Sequence, residues 1–91
     1  MLPGGFPGDL PLPDGGSLVD FGEAAGGWHY VVIQTPESLA AVRAATARRL
    51  AAAGWTAVAD GASYQKRGRV VRLAYEDARP GTRLRVEYQP R

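Results

Sequence analysis

The chain has 91 residues, 45% of them apolar and 22% charged, with a formal net charge of +2. A domain of this size buries about 60–70% of the surface its unfolded chain exposes, which allows one core and little else. Cysteine is absent, which excludes a disulfide framework, a thiol nucleophile and a thiolate metal site, and no apolar run approaches the roughly 20 residues that span a bilayer.

Residues 1–16, containing "LPGGFPGDLPLPDGG", are dense in Pro and Gly, which disfavour helix interiors and strand ladders alike. This segment is expected to be extended, and 17–91 to form a single domain. "SLVDF", Ser17 to Phe21, reads as a short edge strand, and "GEAAGG" as a flexible connector to a strand over Trp28–Gln34. Thr35 stands where an N-cap belongs, with Pro36 at the first helical position and Glu37 in the first turn. Leu39, Val42, Thr46 and Leu50 follow at helical spacing. The predicted helix covers about 36–53 and ends at Gly54 in a left-handed conformation, with Trp55 folded back on Leu50 or Ala51.

Four strand-sized pieces come next, "WTAVA", "ASYQK", "RVVRLAYE" and "TRLRVEYQ", separated by Asp60-Gly61, Arg67-Gly68 and "DARPG". Asp-Gly is a strong hairpin signal, and Pro80-Gly81 suits the centre of a type II turn. Consecutive short turns imply an antiparallel meander. The fold class is therefore α+β, a single antiparallel sheet of four to six strands with one helix on one face, in the order (β)-β-α-β-β-β-β.

Alternation assigns the faces. Val71, Leu73 and Tyr75 oppose Arg72, Ala74 and Glu76, while Leu84, Val86 and Tyr88 oppose Arg83, Arg85 and Glu87. The arginine face must point away from the helix, because burying unpaired guanidinium groups costs several kcal/mol each. In the strand 28–34 both alternating sets are apolar. Compact Val31 and Ile33 fit a close helix contact better, which places Trp28 and Tyr30 on the arginine side. Apolar surface there calls for cover, and "FPGDLPLP" is the candidate: residues 6–14 are expected to pack Phe6, Leu10 and Leu12 on Trp28 and Tyr30, with a homodimer through that face as the competing solution.

The opening "LPGGFPGDLPLPDGGSLV", "TPES" at the helix start, the "RLAAAGW" helix exit and the "YQKRGRVVRLAYE" hairpin resemble small bacterial domains of unknown function, often the mature part of envelope lipoproteins. The resemblance implies export and tethering by an upstream lipidated cysteine, hence an envelope, periplasmic or extracellular setting, with a cytoplasmic one left open by composition. It assigns no catalytic residue. Many of those domains carry a Phe-Tyr pair in the middle of the helix, where this chain has Ala44-Ala45.

Little in the sequence points to catalysis. His29 is the single histidine, whereas transition-metal sites normally need two or more His or Cys ligands, so neither a metal nor another cofactor is expected. Ser17, Ser38 and Ser63 lack a nucleophile elbow. "GGFPG" and "DGGS" do not follow a strand and open a helix as a phosphate loop does. What remains is the open sheet face, where Trp28, Tyr30, Arg67, Arg72, Arg83 and Arg85 are the candidate binding residues. Residues 63–91 carry a charge of +5 and residues 1–35 a charge of −4, so polyanion or nucleic-acid binding through this face is one reading. Cross-strand pairing of the arginines with Glu76 and Glu87 explains the same residues without a ligand. The expectation is a non-catalytic interaction or structural module with a protein partner or self-association, nucleic acid being the disfavoured alternative.

Overall fold

The computed structural model describes residues 10–11, 16–58 and 62–89. Among these residues six strands form one antiparallel sheet: β1 (Ser17–Glu23), β2 (His29–Thr35), β3 (Thr56–Ala57), β4 (Ser63–Lys66), β5 (Arg69–Asp77) and β6 (Thr82–Tyr88), with a single α-helix α1 (Leu39–Ala52) between β2 and β3. The α+β class and the element order are those the sequence implies. The spatial order is β1-β2-β6-β5-β4-β3. The helix carries the chain from the middle of the sheet to its far edge. The meander β3 to β6 then walks back until β6 zips onto β2 over seven residue pairs, His29↔Tyr88 to Thr35↔Thr82.

The helix starts later than the Thr35 cap predicts. Thr35 is fully buried as the last residue of β2, paired with Thr82, and Ser38 is the N-cap, its Oγ accepting from the Ala41 N–H at 3.3 Å. The ladder to β6 holds Thr35 in extended backbone and so overrides its capping propensity. Thr82 Oγ1 donates to the Glu37 carbonyl at 2.8 Å, tying the helix approach to the sheet end. The exit is as the sequence implies: Gly54 has φ 91°, the Trp55 N–H donates to the Leu50 carbonyl at 2.9 Å and the Gly54 N–H to that of Ala51 at 3.1 Å. These are the two bonds of a Schellman ending.

Other boundaries also shift. The "GEAAGG" connector is ordered: Gly22 and Glu23 extend β1, and a short 3₁₀ turn spans Ala25–Gly27. "WTAVA" contributes only two strand residues, and the expected Asp60-Gly61 turn lies outside the described residues. Arg67 and Gly68 both have positive φ, 51° and 78°, as a two-residue type I′ hairpin requires. At "DARPG" the expected type II turn is replaced by a connection with a cis Arg79–Pro80 bond and Gly81 at φ 126°.

One face of the sheet is the core side. Val31, Val71, Leu73, Leu84, Val86 and Tyr88 are buried there together with Leu50 and Trp55, and β1 adds half-buried Leu18. Helix residues Val42, Thr46 and Leu50 face inward, so Val31 and Ile33 do lie on the helix side. Each aliphatic side chain so buried contributes about 1.5–3 kcal/mol relative to exposure.

Leu10 corrects the strap expectation. It is 5% exposed and belongs to the core cluster of Val31, Leu50 and Trp55, on the helix side rather than over Trp28 and Tyr30. A single helix leaves part of a six-stranded core face uncovered, and Leu10 closes it. Phe6 and Leu12 lie outside the described residues.

Candidate interaction surface

On the opposite face the register aligns rows of side chains across the strands. One row runs Gly22, Tyr30, Glu87, Arg72, and the next Asp20, Val32, Arg85, Ala74. Glu87 is the hub. Its Oε1 receives the Arg72 Nε at 3.1 Å, and its Oε2 receives Arg85 through NH2 at 3.1 Å and Nε at 3.3 Å. Each guanidinium also lies over an aromatic ring: Arg72 Cζ is 3.9 Å from the Trp28 centroid, and Arg85 Cζ is 4.0 Å from that of Tyr30.

The result is a continuous array, Trp28–Arg72–Glu87–Arg85–Tyr30, in which cations cover rings and one carboxylate holds both cations. Arg72 and Arg85 thus cover part of the apolar surface of Trp28 and Tyr30. Stacking of this kind is worth about 0.5–1 kcal/mol at exposed sites. Tyr30 can lie flat because its cross-strand partner is glycine. A Cβ at Gly22 would stand 2.9 Å from the Tyr30 hydroxyl.

Arg83 is held more loosely. Its Nε donates to Gln34 Oε1 at 3.0 Å, and its NH1 stands 3.8 Å from Glu76. Beside it a shallow concavity of about 550 Å³ is lined by Val19, Asp20, Val32, Ala74, Tyr75, Glu76, Arg83 and Arg85. Of the six candidate binding residues, Trp28, Tyr30, Arg72, Arg83 and Arg85 thus share one face. Arg67 does not join them: it sits in the β4–β5 turn, lining a separate depression with Gly54, Thr56, Gln65, Lys66 and Gly68.

Three arginines on this face stand against Asp20, Glu76 and Glu87, so the face is close to neutral. The rings, moreover, already have guanidinium groups over them. Both facts weigh against base stacking and phosphate neutralisation. Further cations lie on the helix side, where Arg69 stacks over Trp55 at 5.1 Å, Arg43 over Tyr75 at 5.0 Å, and the Lys66 Nζ donates to the Ala53 carbonyl at 2.7 Å. Burial raises the Tyr75 hydroxyl pKa, with a hydrogen bond from Thr46 and the nearby Arg43 opposing the shift, and desolvation raises that of Tyr88.

His29 caps the helix-side edge, its Nε2 3.7 Å from Glu23 and its ring 5.9 Å from that of Tyr88. Among the described residues no three His, Asp or Glu side chains gather as metal ligands. No helix there is long and apolar enough to cross a membrane. Gln34, Asp20 and Val19 were not legible as site residues, because only the β1–β2–β6 register brings them beside the arginines. Compared with family models, with curated proteins and with solved structures, the chain finds no match.

Proposed function

We propose that the chain is a non-catalytic interaction module whose working surface is the open sheet face. The observation that carries this reading is the fixed array of Trp28, Arg72, Glu87, Arg85 and Tyr30, ordered on a face that no described element covers. A surface whose side chains are held before a partner arrives loses little entropy on binding, which is the property a recognition face needs. The cell-envelope setting belongs to the proposal and rests on the resemblance in the opening, helix-start and hairpin motifs.

The test is photo-cross-linking in native cells, with a photoreactive residue at exposed Ala74 on the open face and, as control, at exposed Ala52 on the helix. A discrete heavier species from position 74 alone is expected. The same adducts from both positions, or none, would overturn the reading. Retention of a single-stranded oligonucleotide at about 50 mM salt, falling steeply by 200 mM, would favour the polyanion alternative instead.

A further inference from the structure

We infer that the outer edge of β1 is a docking strand for an extended, basic segment of a partner protein, which joins the sheet antiparallel as a seventh strand. This goes beyond the open-face reading: the edge is a second surface with an occupant of its own.

Edge strands present unpaired backbone donors and acceptors, and natural proteins blunt them with Lys, Pro or short length. The far edge follows that rule, since β3 has two residues. β1 does not. It has seven residues, SLVDFGE, with neither Lys nor Pro, and among the described residues it stands at one end of the strand order. The large apolar side chains most open to solvent among the described residues are both on it, Val19 at 52% and Phe21 at 58% exposure. The register shift between Leu18 and Asp20 turns Val19 toward the concavity on the open face, while Phe21 pairs with Val31 on the helix side. An added strand would therefore meet an apolar neighbour on each face.

Charge selects the occupant. Asp20 is the centre of the strand, its Oδ1 accepts only the Phe21 N–H at 2.9 Å, and it has no cationic partner among the described residues. Glu23 is 81% exposed, and residues 1–35 contain no Lys or Arg. A second copy pairing β1 with β1 about a two-fold axis in the register that overlaps all seven residues would set Asp20 opposite Asp20, and directly opposed like charges are destabilising. A lysine or arginine flanked by β-branched residues satisfies the same edge. In such strand addition the main-chain bonds supply affinity and the alternate side chains supply specificity.

The probe is the peptide acetyl-Thr-Thr-Val-Lys-Val-Thr-Thr-amide, titrated into the ¹⁵N-labelled full chain. Expected are shifts confined to 17–23 and adjoining β2, with slowed hydrogen exchange at alternate β1 amides. A glutamate in place of the lysine, or Asp20→Asn in the protein, should weaken binding about tenfold and severalfold respectively. N-methylation of the peptide amides that face β1 should abolish binding, and methylation of the alternate set should leave it intact. Absence of shifts at millimolar peptide, shifts centred on the arginines, equal binding of the glutamate peptide, or indifference to which amides are methylated would each overturn the proposal. So would a protein dimer in sedimentation that Asp20→Asn strengthens, which assigns the edge to a second copy. An adduct at position 74 with no peptide shift removes this proposal and leaves the module reading standing; peptide shifts without the adduct do the reverse.

Discussion

Leu10→Ala is the sharpest perturbation of the packing described above. Leu10 belongs to the cluster with Val31, Leu50 and Trp55 and is 5% exposed, so truncation removes most of a buried side chain and leaves a cavity against residues held by the sheet. Such substitutions cost about 2–5 kcal/mol. The lower part of that range, about 2–3 kcal/mol, is expected, because Leu10 lies in no helix or strand and its own backbone can move to refill part of the space. Against a total stability of about 5–14 kcal/mol for 91 residues this is large and easily measured. Urea unfolding followed by circular dichroism gives the magnitude, and the emission of Trp55, 3% exposed in the same cluster, should move to the red in the native state. A loss below about 0.5 kcal/mol with unchanged Trp55 emission would refute the placement of Leu10 in the core.

Glu87→Gln should cost about 1–2 kcal/mol in urea melts by releasing Arg72 and Arg85, and it should raise iodide quenching of Trp28, the one tryptophan that is not buried. Gly81→Ala should destabilise by about 3 kcal/mol or more, since its φ is 126° and the new Cβ would collide with the Thr35 carbonyl; thermal unfolding reads this directly. Stability should fall above about pH 10, because the unfolded chain ionises its tyrosines there while Tyr75 and Tyr88 are held neutral in the fold. Tyr88→Phe should flatten that alkaline decline, and an unchanged slope in urea midpoints between pH 9 and 11 would count against it.

The strands of the meander were legible because alternation and turn dipeptides are local signals, and so was the Schellman ending, which needs only Gly54 and Trp55. The faces of β5 and β6 followed from the cost of burying arginine. What the sequence hid was non-local. That β6 returns to lie between β2 and β5 is set by the crossover of α1, and only that pairing brings Glu87 between Arg72 and Arg85 and lays each over an aromatic ring. Leu10 was misplaced for a related reason: its apolarity is legible, but how much of the core face one helix leaves open depends on where the helix crosses the sheet. Thr35 shows long-range pairing defeating a local preference, since the ladder to Thr82 took the residue that capping chemistry had claimed.

The central claim is that the open face is a fixed array rather than a fringe of solvated side chains. Nuclear relaxation of the arginine Nε–Hε groups tests it most directly. Arg72 and Arg85, stacked and bonded to Glu87, are expected to show order parameters approaching the rigid backbone value of about 0.85, with Arg83 lower and exposed Arg79 lowest. Uniformly low values, with Arg72 and Arg85 as mobile as Arg79, would contradict the account.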